Sequence, residues 1–342
     1  MDPHITAETR GALGLLTLNR PAALNALTHG MVRTLSMQLA AWAGDDTIRA
    51  VAIQGAGERA FCAGGDIRAV QQAVAAGSDA GARFLHDEYH LNAAIGAFPK
   101  PYVALLHGVT MGGGAGVSLH GRYRLADASL DFAMPETGIG FIPDVGGSHF
   151  LSRCPGETGM YLALTGMRIG LADALDLGLV THAVSRVDFP AVIDGLARGQ
   201  DAEAVIAAHA RKSPPGPLSH LCHRLDTIFS AGSVEAILER LDRDGSDFAR
   251  TAARMLRTRS PTSLKLVFRQ IRAGARLNLE QCLAMEYRLA VRILPSHDFR
   301  EGVRAALIDK DRAPRWQPAS LAAVPQSVVD AAFMPLGSEE LF

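Results

Sequence analysis

A strand-like apolar run, a glycine-rich loop and a helical stretch follow one another repeatedly in the first half of the chain. The apolar runs are Leu13–Leu18, residues 51–54 and Tyr102–Leu106, and the last two run into loops rich in glycine. The unit recurs about every 40 to 50 residues, which is the period of a repeated supersecondary structure. Because parallel strands need long crossover connections, this pattern predicts an α/β fold built from ββα-like repeats.

Helical periodicity is clearest between the first two strands. Thr28 is a suitable N-cap, and apolar residues then recur at helical spacing at Met31, Val32, Leu35, Leu39 and Trp42. Further helices are predicted at residues 67–75, 84–98 and 117–120, and short strands at residues 122–126 and 129–133. These elements complete the alternation of strands and helices.

The pattern becomes mainly helical from residue 157 onward. The segment Ser-Pro-Pro-Gly-Pro at residues 213–217 is a linker candidate, because proline and glycine interrupt helices and strands. Amphipathic helices are predicted after it, at residues 233–241, 248–257, 263–272 and 279–294. We therefore predict a core at residues 1–212 that holds the functional site, and a helical region at residues 213–342 that covers this site.

Composition excludes several classes of protein. The 342 residues include 34 basic and 35 acidic ones, a balance that argues against a nucleic-acid surface or a polybasic membrane anchor. No apolar run reaches membrane-spanning length, and the N-terminus lacks the pattern of a secretory signal. The four cysteines show neither CxxC nor zinc spacing. We expect a cytoplasmic protein with reduced thiols and no metal site, and its abundant Ala, Arg and Gly indicate a bacterial source.

Two carboxylates stand eight residues apart in the segment at residues 134–147. The segment reads Met-Pro-Glu-Thr-Gly-Ile-Gly-Phe-Ile-Pro-Asp-Val-Gly-Gly, which is too rich in glycine and proline for a regular helix or a central strand. Such a loop can direct Glu136 and Asp144 into one cavity. An apolar cavity raises the pKa of a carboxyl group and sharpens its reactivity, so we predict that both acids serve chemistry.

The two glycine-rich loops offer backbone N–H groups with no bulky side chain in the way. They read Phe-Cys-Ala-Gly-Gly-Asp-Ile at residues 61–67 and His-Gly-Val-Thr-Met-Gly-Gly-Gly-Ala-Gly at residues 107–116. Two such donors that converge on one point form an oxyanion hole, which is usually the largest single contribution to catalysis of acyl transfer.

In their order and spacing, these three loops resemble those of the crotonase (enoyl-CoA hydratase/isomerase) superfamily. The sequence at residues 61–68 and 134–147 is similar to that of the 3-hydroxyisobutyryl-CoA hydrolase branch of this superfamily. Later segments continue the resemblance over essentially the whole chain, at residues 260–265, 285–288, 297–305, 309–311 and Trp316. The resemblance implies an α/β fold, the crotonase-like spiral of ββα repeats with a C-terminal α-helical layer.

The resemblance also assigns roles to individual residues. It implies that the N–H groups of Gly65 and Gly113 form the oxyanion hole, the second aided by the positive end of a helix dipole. Glu136 takes the place of the catalytic glutamate, either as a nucleophile that forms a mixed anhydride or as a general base that activates water. Asp144 matches a second acid that orients the substrate hydroxyl or the water, and Glu88 matches a glutamate that contacts the substrate.

Two positions depart from related patterns. Hydratases of the superfamily carry a second glutamate after the glycine triplet, where this chain has Gly116, so hydratase activity is disfavoured. The lysine often found near the first loop is replaced by Ala22, which removes a cationic contact to the CoA phosphates. Arg20, Arg68 and Lys265 are the candidates to replace it.

The resemblance implies hydrolysis of a short-chain β-hydroxyacyl-CoA, first of all 3-hydroxyisobutyryl-CoA in valine breakdown, with 3-hydroxypropionyl-CoA as a second substrate. CoA is then part of the substrate, and no separate cofactor is expected. One alternative is an enoyl-CoA hydratase or isomerase, and for an isomerase Glu136 alone would suffice. The other alternative is a CoA-binding homologue without turnover. A homo-oligomer formed through the C-terminal helices also fits the resemblance.

Overall fold

The computed structural model describes residues 2–342, which divide into two compact units. The first unit comprises the chain up to Asp66, Asp87–Ala133 and Arg168–Ser219, and the second comprises Ile67–His86, Met134–Met167 and His220–Phe342. Segments of the two units alternate along the chain, and Ser219 is the last residue of the first unit. The predicted division after residue 212 stays a prediction.

All strands belong to the first unit. They are β1 (Ile5–Arg10), β2 (Leu13–Leu18), β3 (Ala50–Gly55), β4 (Ala60–Cys62), β5 (Tyr102–Leu106), β6 (Val109–Met111), β7 (Tyr123–Ala126), β8 (Asp131–Ala133), β9 (His182–Val184) and β10 (Ala210–Arg211). The helices of this unit are α1 (His29–Ala43), α4 (Gly113–Gly116), α7 (Leu171–Asp176), α8 (Phe189–Ala197) and α9 (Ala202–His209), together with the later part of α3 (Ala80–Gly96).

The strands form two sheets. The larger has the order β1-β2-β3-β5-β7-β9-β10 and the smaller the order β4-β6-β8. Only the outer pairs of the larger sheet, β1 with β2 and β9 with β10, are antiparallel. Three successive strand pairs place their first member in the larger sheet and their second in the smaller one. This is the predicted ββα repeat, and it delivers successive loops to the same ends of the sheets.

The core of the first unit lies between the larger sheet and helices α8 and α9. Leu13, Leu15, Val103 and Leu105 alternate along β2 and β5 and point into this core, where Ile193 packs against them. Residues on the other face of β2, such as Leu16, are also fully buried. Burial on both faces is typical of parallel sheets, and it explains why these strands have continuous apolar sequences.

The second unit is helical. Its helices are α2 (Ile67–Ala75), the start of α3, α5 (Gly147–Leu151), α6 (Thr158–Thr165), α10 (Cys222–Phe229), α11 (Val234–Asp244), α12 (Asp247–Thr258), α13 (Pro261–Gly274), α14 (Leu279–Ile293), α15 (His297–Val303) and α16 (Gln326–Ala332). Ser260 caps α13 through its side chain, and Pro261 occupies the first helical position. Because proline lacks the N–H that would otherwise be unpaired there, this start is favourable.

One local prediction is wrong. A helix was expected at residues 117–120, whereas the helix is α4 at Gly113–Gly116, and residues 117–120 form turns. The N–H of Ser118 binds the carbonyl of Ala115 at 3.1 Å, a three-residue step that tightens the chain towards Gly121. Within residues 2–342, no helix is long and apolar enough to cross a membrane.

Candidate active site

The first glycine-rich loop is held by a short bridge to the residue before α1. The N–H of Leu27 binds the carbonyl of Gly64 at 2.8 Å, and the N–H of Asp66 binds the carbonyl of Leu27 at 2.8 Å. This is a parallel bridge between Leu27 and Gly65. In such a bridge one residue, here Leu27, makes both hydrogen bonds, and the residue opposite it, here Gly65, makes neither. The N–H of Gly65 therefore points away from Leu27 and is available to a ligand.

The second glycine-rich loop places Gly113 beside Gly65. Gly112 has a φ of 48° and precedes α4, and Gly113 is the first residue of that helix, so its N–H has no carbonyl partner within the helix. A Cβ atom built on Gly113 would lie 3.2 Å from the Gly65 nitrogen. The first unit thus brings the two predicted donors together. Because α4 has only four residues, its helix dipole adds less to the stabilisation of an oxyanion than the sequence predicted.

Glu88 lies at the same place. It belongs to α3, its exposed fraction is 2%, and its Oε1 would lie 2.6 Å from a Cβ atom on Gly113. Gly116, the last residue of α4, is buried and brings no carboxylate. Burial, together with the charge of Glu88, raises the pKa of the neighbouring Cys62 to about 12, so this thiol is not a nucleophile. Glu88 is the ionisable side chain closest to Gly113.

A methyl group on Gly113 should obstruct the oxyanion hole. It would collide with Oε1 of Glu88 and press on the Gly65 nitrogen, although the N–H of residue 113 remains. We therefore expect Gly113→Ala to lower kcat/KM for thioester hydrolysis by at least about tenfold, towards the roughly hundredfold cost of losing a donor.

Steady-state kinetics of Gly113→Ala beside Gly44→Ala make this measurement. A Cβ atom on Gly44 meets nothing within 4 Å, so the control should retain wild-type activity. Full activity in Gly113→Ala would show that residue 113 does not line the site.

Glu136 begins a 3-10 helix, Glu136–Ile139, in the second unit. The carbonyl of Glu136 accepts the N–H of Phe141 at 2.9 Å, and the hydroxyl of Thr137 donates to the carbonyl of Leu164 at 3.1 Å. Gly140 has a φ of 69°, and a Cβ atom there would lie 2.3 Å from the carbonyl oxygen of Asp298. The turn after Glu136 therefore requires glycine, which explains the composition of this loop.

The side chain of Glu136 is buried and electrostatically unfavourable. Its exposed fraction is 7%, and among residues 2–342 its Oε2 has no hydrogen-bond partner. Burial raises the pKa of Glu136 well above its ordinary value, and the Asp144 carboxylate raises it further. A buried carboxyl group with a raised pKa and an unused oxygen is a candidate base or nucleophile. The effect of Asp144 on this pKa places the two predicted acids of the loop near each other.

Asp144 precedes α5 and has an exposed fraction of 6%. Its carbonyl accepts the N–H of Gly147 at 2.7 Å, and the preceding carbonyl, that of Pro143, accepts Nε2 of Gln270 at 2.6 Å. A third buried acid, Glu286 of α14, binds the backbone just after Asp144. Burial raises the pKa of Glu286 to about 8, although the hydrogen bonds that Glu286 accepts lower it.

No motif in the sequence assigned a role to Glu286. It lies on the apolar face of α14, with Cys282 and Leu283 one turn before it and Leu289 and Ala290 one turn after it. An acid at a buried helical position is uncommon unless it is paired. The acid on the apolar face of a predicted helix was therefore the one feature of the sequence that could have pointed to Glu286. Gln270 occupies a comparable buried position on α13.

The pH dependence of activity should report the raised pKa of Glu136. As nucleophile or base, Glu136 must be ionised, so kcat/KM should rise with pH through a pKa well above that of an ordinary glutamate. Asp144→Asn removes the nearby negative charge and lowers this pKa. We expect the acid limb of the pH profile to move to lower pH in this variant. An unmoved limb would contradict the electrostatic coupling of the two acids.

The three candidate cations for the CoA phosphates already have partners. Arg20 pairs with Asp66 at 2.9 Å, and Lys265 pairs with Glu235 at 2.9 Å. Arg68 donates to the carbonyl of Leu307 at 2.5 Å. Arginine has five N–H donors and lysine three, so each of these cations could contact a phosphate in addition to its present partner.

A cavity of about 480 Å³ lies within the second unit. Its wall is chiefly apolar and includes Leu266, Ile293 and Val328, with Gly140 from the turn after Glu136. Neither Glu136 nor Asp144 lines it, so this cavity is separate from the two predicted acids. In residues 2–342, no group of three or more His, Cys, Asp or Glu residues has an arrangement that could hold a metal ion.

Comparison with known proteins agrees on the family and gives several names within it. Residues 13–333 match the enoyl-CoA hydratase/isomerase family. Mitochondrial 3-hydroxyisobutyryl-CoA hydrolase of Danio rerio is 48% identical over 99% of this chain and 91% of its own length. The enzyme of that name from Homo sapiens is 43% identical over 99% of this chain and 90% of its own length.

Two solved structures superpose on almost the whole chain. A structure described as a carnitinyl-CoA dehydratase from Mycobacterium thermoresistibile has a TM-score of 0.95 and 42% identity, covering 100% of this chain and 99% of its own. One described as an enoyl-CoA hydratase from Rhodobacter sphaeroides has a TM-score of 0.94 and 39% identity, covering 99% of both chains. These similarities confirm the predicted fold class.

Proposed function

Because the chain belongs to the enoyl-CoA hydratase/isomerase family, we propose that it hydrolyses the thioester of 3-hydroxyisobutyryl-CoA, as in valine degradation. The products are 3-hydroxyisobutyrate and CoA. The observation that carries the proposal is the buried Glu136 beside Asp144, in a chain that has only a hydrogen atom at Gly116. The similarity to named 3-hydroxyisobutyryl-CoA hydrolases over nearly the whole chain supports it.

The rival function is hydration or dehydration of an enoyl-CoA, as in the names of the two solved relatives. In hydratases of the superfamily, a glutamate shortly after the glycine triplet, at the position of Gly116, supplies a carboxylate that shares a water with the catalytic glutamate. Gly116 supplies none. Asp144 instead offers a buried acceptor that suits a hydroxyl group on the acyl chain, and this favours the hydrolase.

The proposed reaction assigns a separate task to each group. The N–H groups of Gly65 and Gly113 hold the thioester carbonyl oxygen and stabilise the charge that forms on it. Glu136 attacks the carbonyl carbon, CoA leaves as the thiolate, and water then opens the mixed anhydride to release the acid and restore the carboxylate. In the alternative route, Glu136 removes a proton from the attacking water. Glu88 and Asp144 position the acyl group, and the proposed reaction uses no cofactor, because CoA is part of the substrate.

Borohydride trapping during turnover distinguishes the two routes. An anhydride on Glu136 would be reduced to an alcohol, which peptide mass spectrometry locates at residue 136. We expect this modification with 3-hydroxyisobutyryl-CoA and none without substrate. Its absence at a concentration that traps a synthetic anhydride would favour the general-base route.

An acyl-CoA panel tests the substrate. Free thiol release should be fastest with 3-hydroxyisobutyryl-CoA, followed by 3-hydroxypropionyl-CoA, and slower with isobutyryl-CoA, which lacks the hydroxyl. A site that hydrogen-bonds a hydroxyl discriminates strongly against an analogue without it. Equal rates for hydroxylated and unhydroxylated substrates would contradict the proposed role of Asp144.

We also propose a bacterial cytoplasmic location and self-association through the C-terminal helices. Within residues 2–342, none of the four cysteines forms a disulfide, which is usual in a reducing compartment. Val328 and Met334, in and after α16, expose 47% and 59% of their surface and offer apolar contacts. Light scattering of the purified chain, with Val328→Asp as the interface variant, tests self-association. A monomer at all concentrations would contradict it.

A further inference from the structure

Glu286 holds the backbone that follows Asp144. Its Oε2 accepts the N–H of Gly146 at 2.7 Å, and its Oε1 accepts the N–H of Ser148 at 2.7 Å. The hydroxyl of Ser148 also donates to Oε1. Glu286 is fully buried in α14, and both of its carboxylate oxygens accept hydrogen bonds from this one segment.

The segment held by Glu286 is strained. Val145 has a φ of 51° and Gly146 a φ of 84°. The left-handed region is unfavourable for a β-branched residue, and such a conformation persists only where surrounding contacts enforce it. Because Val145 directly follows Asp144, the bonds from Glu286 to residues 146 and 148 fix the direction in which Asp144 leaves the backbone.

The other side of Asp144 is fixed as well. Nε2 of Gln270, a fully buried residue of α13, donates to the carbonyl of Pro143 at 2.6 Å. Two helices thus hold the loop immediately before and immediately after Asp144. Gln270 binds one carbonyl, whereas Glu286 accepts three donors, so Glu286 is the stronger constraint.

We infer that Glu286 is a positioning residue that acts through Asp144: it orients that carboxylate towards the hydroxyl of the acyl group and so contributes to substrate selectivity. This inference rests on the proposed hydrolase function. The Glu286 carboxylate itself makes its hydrogen bonds to protein groups and takes no part in bond breaking. Glu286 belongs to the Met-Glu-Tyr-Arg segment at residues 285–288, to which the resemblance assigned no function.

Glu286→Gln tests this role with little change in volume, in assays above pH 8, where the wild-type carboxyl group is ionised. An amide has one acceptor oxygen, so one of the two N–H groups would face an NH₂ donor and the loop would lose its fixed geometry. We expect kcat for 3-hydroxyisobutyryl-CoA to fall by about tenfold or more with a smaller change in KM. The rate with isobutyryl-CoA should change much less, because that substrate has no hydroxyl for Asp144 to hold.

The double variant Asp144→Gly/Glu286→Gln separates positioning from a general structural effect. If Glu286 acts through Asp144, the double variant should show the same selectivity as Asp144→Gly alone. Glu280→Gln, an exposed position on the same helix, is the matched control and should match the wild type. Independent, multiplying effects of the two substitutions, or equal losses on both substrates, would overturn the inference.

Ser148→Ala provides a second variant should Glu286→Gln fail to fold. It removes only the hydroxyl donor and leaves both backbone hydrogen bonds, so we expect a shift in selectivity of the same direction and smaller size. Unchanged selectivity in Ser148→Ala and in any folded Glu286→Gln protein would reject the positioning role. Absence of thioester hydrolysis in the unmutated protein would instead reject the proposed function.

Discussion

Glu136→Gln should lower kcat for thioester hydrolysis by about 10³-fold, within the range expected for loss of an acid–base group, while acyl-CoA binding is retained. The amide has nearly the same shape as the carboxylate but can neither attack a carbonyl nor remove a proton from water. The loss is therefore expected in kcat more than in KM, since the interaction lost is one made in the transition state. Stopped-time thiol assays and calorimetric CoA binding measure the two quantities.

The same variant should not destabilise the protein. Burial and Asp144 raise the pKa of Glu136 in the folded state, so the folded protein loses stability as pH rises from the ordinary value towards the raised one. Glu136→Gln removes this titration, and its Tm at neutral pH should be no lower than that of the wild type. Glu239→Gln, an exposed acid on α11, is the control. Near-wild-type kcat in Glu136→Gln would remove the proposed mechanism.

Asp144→Gly should lower kcat/KM for 3-hydroxyisobutyryl-CoA by about a hundredfold, because a buried acceptor that pairs with a substrate hydroxyl gives strong selectivity. The loss with isobutyryl-CoA should be much smaller. Asp144 is 6% exposed, and a hydrogen bond to a buried carboxylate is electrostatically stronger than one in water. Steady-state kinetics with the two substrates give the ratio directly.

This variant should not become a hydratase, although it gains a glycine at residue 144 like ordinary hydratases. Gly116 still offers no second carboxylate, so a water above the double bond would have only Glu136. Equal losses with both substrates would indicate that Asp144 handles water or structure instead of the hydroxyl. Asp144→Asn, which retains hydrogen-bonding capacity, should lose less than Asp144→Gly.

The buried strands could be predicted from the sequence because parallel strands covered on both faces are continuously apolar. Leu13–Leu18 and Tyr102–Leu106 have the predicted bounds, as does the helix Ile67–Ala75. β1, Ile5–Arg10, was not predicted. It reads Ile-Thr-Ala-Glu-Thr-Arg and lies at the edge of the sheet, where one side needs no apolar cover, so the strongest signal for a strand is absent.

Helix α8 was also not predicted, although it covers the core of the larger sheet. It contains Pro190 and Gly195, which normally interrupt helices. The proline occupies the first turn, where its missing N–H costs nothing. A Cβ atom on Gly195 would lie 2.8 Å from a methyl group of Val205, so this glycine permits close packing with α9. Only the packed structure reveals that both residues suit a helix.

The site was predictable where backbone and sequence signals coincide. Gly65 and Gly113 follow strands, and Gly113 needs the space that glycine leaves. Glu136 and Asp144 share one loop, in which the turn at Gly140 requires glycine. Glu286 lies 142 positions after Asp144 in the sequence, and its hydrogen bonds go to backbone N–H groups that any residue type provides. No sequence pattern specifies such a partner.

The most direct test of the central claim compares two reactions of the unmutated protein. One assay follows release of free CoA thiol from 3-hydroxyisobutyryl-CoA, and the other follows loss of the enoyl chromophore of crotonyl-CoA. The buried Glu136 and Asp144, together with Gly116, predict rapid thiol release and little or no hydration. Efficient hydration of crotonyl-CoA with no release of thiol from 3-hydroxyisobutyryl-CoA would contradict the assignment.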